Sequence, residues 1–205
     1  PICKMKNIKA IIFDLGGVIL NIDYRLTIVA FENLGVKNAD LFYSKKEQNP
    51  IFDKLEIGAI TPTYFLTALQ KYCTNIEKSE IEKAWNAMLL DLPERRLIHI
   101  QKLSKNYKIF LLSNTNEIHI NAFRKKIGEK RWLHFSSLFT KIYLSHKIGF
   151  RKPNKEAFEI ILDENKLKAN NVFFIDDSPQ HIQAARSVGI QSHYLLEGEE
   201  ITSLF

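Results

Sequence analysis

The sequence predicts an α/β fold, a three-layer sandwich with helices on both faces of a mainly parallel sheet and a helical cap inserted after the first strand. Two observations predict the sheet: short apolar runs recur along the chain, and helical patterns lie between them. Such runs, rich in branched or aromatic residues and bounded by polar ones, are typical of strands buried on both faces. The runs are Ala10–Phe13, Ile109–Leu112, Ile142–Leu144 and Val172–Ile175, with a weaker fifth at Ser192–Leu196.

The helical patterns between these runs place apolar residues on one face at spacings of three or four. Pro153 can begin a helix as its first residue, and Gly189 suits the end of one. The shared faces comprise Leu97, Ile100 and Leu103 before the second strand, Ala157, Phe158, Ile161 and Leu162 after Pro153, and Ile182, Ala185 and Val188 before Gly189. Strands that alternate with helices imply right-handed crossovers and a parallel sheet.

One interval breaks the alternation. Residues 21–100 contain helical patterns only, and a connection of that length is a small domain rather than a loop. The sequence therefore predicts a core formed by residues 1–20 and 101–205, with a helical cap at residues 21–100.

The composition is that of a globular protein, with 45% hydrophobic and 25% charged residues among 205. The net charge of +6 is spread over short clusters such as Lys45–Lys46, Arg95–Arg96 and Arg124–Lys126, so we expect no nucleic-acid partner. Two cysteines, Cys3 and Cys73, form no disulfide framework, which favours a cytoplasmic location. No apolar run is long enough to predict a membrane span. The oligomeric state stays open.

Polar side chains follow the predicted strands at the points where they end. In an open parallel sheet, ligands bind outside the carboxyl ends of the strands, so we expect these side chains to converge in one crevice. They are Asp14 after the first strand, Ser113 and Asn114 after the second, Arg151 and Lys152 after the third, and Asp176 and Asp177 after the fourth.

The convergence of carboxylates indicates a metal and a reaction. Several carboxylates held together repel one another, and a hard divalent cation relieves the repulsion; oxygen ligands with room for water suit Mg²⁺. Phosphate is a common partner of such a metal, and a lysine and a serine can hold its remaining oxygens. A carboxylate nucleophile can then form an aspartyl-phosphate, which divides one difficult displacement into two easier ones.

Four segments resemble, in order and spacing, the motifs of the haloacid-dehalogenase-like superfamily. They are Phe13–Ile19, Leu112–Thr115, Gly149–Pro153 and Phe174–Pro179. The resemblance spans residue 8 to about residue 196, and it implies a Rossmann-like core with a cap that closes over the substrate. The most similar subgroup is the bacterial one resembling alpha-D-glucose-1-phosphate phosphatase.

The resemblance also implies roles for the residues that match. Asp14 would be the nucleophile and a Mg²⁺ ligand, and the backbone carbonyl of Gly16 would also reach the metal. Asp177 would be the direct acidic ligand, with Asp176 behind it or sharing that duty. Ser113 and the backbone of Asn114 would hold the transferring phosphoryl group, and Lys152 would neutralise it. The implied substrate is a small phosphorylated metabolite such as a sugar 1-phosphate.

One position departs from the family pattern. Many phosphatases of this superfamily carry a second aspartate two residues after the nucleophile, which protonates the leaving group, and here that residue is Gly16. Asp23 is a candidate either for capping the first cap helix or for replacing the missing aspartate. Two other functions stay open: a hydrolytic dehalogenase, which would not use Mg²⁺, and a catalytically silent phosphate-binding protein. His181 is expected on the surface or beside the site.

Overall fold

A five-stranded parallel sheet forms the centre of the computed structural model, which describes residues 7–37, 39, 50–73 and 75–205. The strands are β1 Ala10–Phe13, β2 Lys108–Ser113, β3 Lys141–Leu144, β4 Val172–Asp176 and β5 Gln191–Tyr194. Their spatial order is β3-β2-β1-β4-β5, and every neighbouring pair is parallel. The predicted α/β class and parallel sheet are confirmed; Cys3 and Lys45–Lys46 lie outside the described residues.

The register of the sheet brings the ends of the central strands level. Phe13 of β1 pairs with Leu111 of β2 and with Ile175 of β4. The chain proceeds from β1 to one side through β2 and β3, then returns to place β4 on the other side of β1. The strand order therefore reverses at β1, and the crevice at such a switch point is where ligands bind in open α/β sheets.

Helices occupy the connections between strands. Those of the described residues are α1 Tyr24–Asn33, α2 Pro50–Glu56, α3 Pro62–Gln70, α4 Lys78–Asn86, α5 Glu94–Leu103, α6 Glu117–Ile127, α7 Glu129–Ser137, α8 Ser145–Ile148, α9 Glu156–Glu164 and α10 Pro179–Ser187. Short 3-10 helices cover Ala169–Asn171 and Ile201–Ser203. None of the helices in these described ranges combines the length and the apolar character needed to span a bilayer.

One predicted helix start is wrong. The helix expected to begin at Pro153 begins at Glu156, after a turn in which the Asn154 amide donates to the Arg151 carbonyl at 2.9 Å. The reason lies in the preceding residue, since both backbone polar groups of Lys152 bond to the side chain of Asn114. The chain can enter a helix only after that attachment.

Both faces of the sheet are buried, which explains the continuous apolar runs. Alternate residues of a strand point to opposite faces, so Ala10 and Ile12 join one apolar cluster while Ile11 and Phe13 join another. The first cluster includes residues of α9 and α10, and the second includes residues of α5, α6 and α7. These layers make up the predicted three-layer sandwich.

The second cluster continues beyond the sheet into the inserted helices, by which we mean α1 to α4. Phe52, Phe65 and Trp85 pack with ring centroids 5.1–5.4 Å apart and belong to the same cluster as Phe13 and Ile175. The described part of the chain thus shares one apolar core between this sheet face and the inserted helices.

The chain enters and leaves the inserted helices through two paired segments. Ile22 and Leu89 form an antiparallel bridge, flanked by hydrogen bonds of 3.0 Å from Asn21 N to Asp91 O and from Asp23 N to Met88 O. Arg96 of α5 braces the entry side, because its guanidinium group donates to the carbonyl of Ile19 and the side chain of Asn21. The same group pairs with Glu200 at 2.9 Å.

His119 of α6 links the sheet layer to the inserted helices. Its ring stacks on Trp85 with centroids 4.7 Å apart, and its Nε2 lies 3.1 Å from the Trp85 carbonyl oxygen. A carbonyl only accepts, so Nε2 carries the proton and Nδ1 accepts from the side-chain amide of Asn116. Burial lowers the pKa of His119 to about 4, which keeps the ring neutral.

This burial makes the folded state sensitive to acid. Since the pKa of His119 falls from 6.5 to about 4 on folding, its contribution is fully present above pH 6.5 and is lost as the pH falls toward 4. The loss amounts to about 3 kcal/mol, at about 1.4 kcal/mol per pKa unit. Urea denaturation of the parent and of His119→Gln across this range will measure it. The variant should show the shallower pH dependence; parallel curves would contradict the assignment.

Candidate active site at the carboxyl ends of the strands

Three polar side chains stand directly at the ends of the central strands. Asp14 follows β1, and its amide donates to the Ile175 carbonyl at 3.0 Å. Ser113 is the last residue of β2, and Asp176 is the last residue of β4. All three residues are buried. The register of β1 with β2 and β4 places them at one edge of the sheet, where the sequence predicts them.

Lys152 lies at the centre of this edge and is fully buried. Its ammonium nitrogen is 2.6 Å from Asp176 Oδ2, 2.9 Å from Asp14 Oδ1 and 3.0 Å from the Leu112 carbonyl oxygen. Burial alone would lower the pKa of Lys152, but the two carboxylates outweigh it and hold the pKa above its ordinary value. The lysine therefore stays charged.

The side chain of Asn114 fixes the backbone that carries Lys152. Its Oδ1 accepts from the Lys152 amide and its Nδ2 donates to the Lys152 carbonyl, each at 2.8 Å. The family resemblance implied a role in phosphate binding for the backbone of Asn114 only, and this contact of its side chain was not predicted. Two hydrogen bonds from one side chain to one residue tie the loop after β3 to the end of β2.

The carboxylate of Asp176 is enclosed by hydrogen-bond donors. Oδ1 accepts from the Ser178 amide at 2.8 Å and lies 3.0 Å from His181 Nδ1, while Oδ2 accepts from Lys152. Burial opposes ionisation, yet Lys152 and His181 bring the pKa of Asp176 below its usual range. His181 thus lies beside the site, which is one of the two placements that its sequence position allowed.

Asp177 lies against the loop that follows Asp14. A Cβ atom added at Gly17 would be 2.4 Å from Asp177 Oδ2, and Gly17 has a φ of +77°. Both the backbone conformation and the space therefore require glycine at this position. One carboxylate oxygen each of Asp14, Asp176 and Asp177 lies within 4.8 Å of the other two.

The three carboxylates of Asp14, Asp176 and Asp177 together fit a hard divalent cation. Burial raises the pKa of Asp14 to about 7, Lys152 works against this rise, and Asp176 and Asp177 add to it. A cation beside the three oxygens would favour the ionised form of Asp14. The donor set is entirely carboxylate, which suits Mg²⁺ better than a transition metal.

At Gly16, the space for a side chain is taken by a neighbour. A Cβ atom there would lie 2.9 Å from the Cδ1 methyl of Ile22, a residue of the segment leading to α1. Asp23 serves as the N-cap of α1, accepting from the Arg25 amide at 3.0 Å, and hydrogen bonds from Arg25 lower its pKa. The capping interpretation of Asp23 is confirmed, and a lowered pKa disfavours Asp23 as a proton donor.

A cavity of about 70 Å³ lies between the strand ends and the inserted helices. On the sheet side it is lined by Gly16, Ser113, Asn114 and Thr115, and on the helix side by Ile22, Tyr24, Glu56, Met88 and Leu89. The remaining walls come from Leu15, Leu20, His119, Ile120 and Phe123. Ile22 and Tyr24 also line a larger groove of about 620 Å³ that includes Gly17 and Asp177.

Sequence reasoning missed the link between this cavity and Arg151. The Nε atom of Arg151 lies 3.0 Å from Glu56 Oε2 at the end of α2, and Arg151 also pairs with Asp53 of the same helix. Asp53 and Glu56, three residues apart on one helix face, indicate a site for a basic partner. No local pattern identifies that partner as Arg151, almost one hundred residues away.

The chain belongs to the haloacid dehalogenase-like hydrolase family, whose model matches residues 8–189. It is 30% identical over 186 residues to D-ribitol-5-phosphate phosphatase of Bacteroides thetaiotaomicron, covering 90% of each chain. A mutant of a family enzyme from the same organism, solved with magnesium and inorganic phosphate, superimposes with a TM-score of 0.91 at 32% identity, covering 97% of this chain and 98% of that one. A dehalogenase shares the fold, with a TM-score of 0.59 at 14% identity over 97% of this chain and 90% of that one.

The family predicted from the four motifs is therefore confirmed, and with it the class of enzyme, a hydrolase. The subgroup resembling alpha-D-glucose-1-phosphate phosphatase stays a prediction. The Rossmann-like fold is confirmed by the superposition with the Bacteroides enzyme.

The contact between Gly17 and Asp177 can be tested with a matched pair of variants. Gly17→Ala and Gly35→Ala both place alanine at a positive φ, but nothing lies within 4 Å of a Cβ at Gly35. Each should lose about 1 kcal/mol of stability through backbone strain. Only Gly17→Ala should weaken Mg²⁺ binding in titration calorimetry, since its methyl displaces Asp177. Equal Mg²⁺ affinity in the two variants would contradict this account.

Proposed function

We propose that this hydrolase is a magnesium-dependent phosphatase that acts on a small phosphorylated metabolite through an aspartyl-phosphate on Asp14. The observation that carries the proposal is the group formed by Asp14, Asp176 and Asp177, which bring one carboxylate oxygen each within 4.8 Å of the others. The buried ammonium group of Lys152 pairs with two of them, Asp14 and Asp176. The relatives support it, since one is a D-ribitol-5-phosphate phosphatase and another was solved with magnesium and inorganic phosphate.

In this proposal, Asp14, Asp177 and the backbone carbonyl of Gly16 would hold the metal. The donors around Asp176 favour a supporting role for that carboxylate, because Lys152, His181 and the Ser178 amide already surround its oxygens. Bound Mg²⁺ would offset the negative charge of the phosphate and of the carboxylates around it.

The residues of the chain then divide the reaction into two displacements. A carboxylate oxygen of Asp14 attacks phosphorus, and the bond from phosphorus to the leaving oxygen breaks as the new one forms; the leaving oxygen takes its proton from water, since Gly16 has no side chain to donate one. Ser113, the Asn114 backbone amide and Lys152 hold the phosphoryl oxygens through the transfer. A water molecule then attacks the aspartyl-phosphate and releases phosphate and free Asp14. Catalysis of this kind depends mainly on positioning and charge stabilisation.

The inserted helices form the cap of this active site. The sequence predicts the cap at residues 21–100 and the core at residues 1–20 and 101–205. We assign α1 to α4 to the cap and place its end near Leu89, because α5 (Glu94–Leu103), which the predicted boundary divides, packs in the layer on the sheet. Residues from α2 and from the segments at Ile22 and Met88 close the cavity over Ser113 and Asn114, which supports the division. The cavity shares Ile22 and Tyr24 with the groove of about 620 Å³, and the two spaces together suit a small phosphorylated metabolite. A sugar 1-phosphate is one candidate.

The nucleophile and the metal are tested together. Asp14→Asn should abolish phosphate release from a panel of phosphate esters, because the amide cannot attack phosphorus, while the melting temperature shows that the fold persists. Chelation of Mg²⁺ should abolish the activity of the parent, and adding the metal back should restore it. Residual turnover of Asp14→Asn within tenfold of the parent would refute the nucleophile. Halide release from a halogenated acid that persists in EDTA would favour the dehalogenase. Absence of turnover with every ester of the panel would favour a phosphate-binding protein.

The absent side chain at Gly16 predicts a dependence on the leaving group. General acid catalysis contributes about 10²–10⁴-fold in rate, so esters of poor leaving groups lose most without it. We expect aryl phosphates and sugar 1-phosphates to react faster than sugar 6-phosphates, as measured by kcat/KM over esters of graded leaving-group pKa. Asp23→Asn should leave this order unchanged.

A double variant provides the matched test of this explanation. Gly16→Asp combined with Ile22→Val supplies the missing acid and removes the Cδ1 methyl that occupies its space. The double variant should flatten the dependence on the leaving group, whereas Ile22→Val alone should retain it. A flat dependence already present in the parent, made steep by Asp23→Asn, would instead identify Asp23 as the proton donor.

A further inference from the structure

The helix side of the cavity carries a charged side chain with no assigned role. Glu56 is the last residue of α2, its side chain is 13% exposed, and it lines the same cavity as Ser113 and Asn114. We propose that the Glu56 carboxylate recognises hydroxyl groups of the leaving group and so selects phosphates of small neutral polyols or sugars. This inference rests on the proposed function and names the class of substrate within it.

An ion pair positions the Glu56 side chain, and close packing of the chain that follows positions the end of the helix that carries it. Arg151 lies 3.0 Å from its Oε2 and pairs as well with Asp53 one turn earlier in α2. The chain that follows α2 packs closely on α8, since a Cβ at Gly58 would lie 2.3 Å from the His146 carbonyl oxygen. A carboxylate held in this way meets a bound substrate with little loss of side-chain freedom, which favours selective binding.

The other lining residues leave the recognition of hydroxyl groups to few side chains. Ile22, Met88, Leu89, Ile120 and Phe123 are apolar. The ring nitrogens of His119 are engaged by Trp85 and Asn116. Among the described lining residues, Glu56 supplies the one carboxylate, and an ionised carboxylate accepts hydrogen bonds without donating any.

The charge and position of Glu56 determine which leaving groups the cavity favours and which it disfavours. In the proposed function Ser113 and Asn114 hold the phosphoryl group, and both line this cavity with residues of the inserted helices, so the leaving group would extend toward those helices. Hydroxyl groups there can donate to Glu56, and such charge-assisted hydrogen bonds are the stronger kind. A leaving group with its own carboxylate or second phosphate would meet a like charge, which disfavours binding.

Titration calorimetry on an Asp14→Asn background, with Mg²⁺ present, tests the inference without turnover. The probes are a pentitol phosphate, phenyl phosphate, which has no hydroxyl group on its leaving group, and 3-phosphoglycerate, which carries a carboxylate. Adding Glu56→Gln should weaken pentitol phosphate binding about tenfold, the scale of a hydrogen bond to a charged group. Binding of phenyl phosphate should change less than threefold, and 3-phosphoglycerate should bind more tightly.

Asp53→Asn is the matched control, because Asp53 contacts the same Arg151 but does not line the cavity. It should change the affinities of the three probes by a common small factor. If Glu56→Gln lowers the affinities of the three probes equally, or changes none of them, Glu56 does not recognise the leaving group and the inference is overturned. Phosphate release by the parent is measured separately, so its absence would refute the phosphatase while the binding pattern still decides the role of Glu56.

Discussion

Lys152 places an ammonium ion where solvent has no access, and three strands supply the oxygens around it. Asp14 follows β1, the Leu112 carbonyl belongs to β2, and Asp176 ends β4. Removing one partner of a buried charge pair typically costs about 3–5 kcal/mol, because the remaining charge is left unpaired. The strand ends must therefore stay aligned for the charge of Lys152 to stay paired. The two hydrogen bonds from the Asn114 side chain to the Lys152 backbone help to hold Lys152 in that position.

The same constraint explains why the site residues could be predicted from the sequence. A buried parallel strand followed at once by a polar residue is a local signal, and Asp14, Ser113 and Asp176 each carry it. The sheet register then brings the three together without further information. The start of α9 could not be predicted in this way, because the side chain of Asn114, the residue after β2, holds Lys152 in a turn that local helix signals do not record.

The cavity depends on contacts that no local pattern contains. Glu56 and Arg151 meet only because α2 packs beside the loop that carries Lys152, and Ile22 fills the space beside Gly16 because the chain turns there toward α1. These placements follow from the long-range packing of apolar surfaces. The periodicity of the sequence predicts which surfaces are buried, but it does not predict which surfaces they contact. The motifs thus predict the residues at the strand ends, whereas the residues on the helix side of the cavity are placed by the packing of the inserted helices against the sheet.

The paired segments at Ile22 and Leu89 have a consequence for how this chain can diverge. Since the chain leaves and rejoins the sheet layer through neighbouring residues, with Asn21 N bonded to Asp91 O at 3.0 Å, the distance between the two exits is independent of what lies between them. A change in the length of the inserted segment therefore need not separate the two exits, provided that its apolar residues still cover this face of the sheet. Under the proposed function, changes in the inserted helices would alter the substrate range around an unchanged set of strand-end residues.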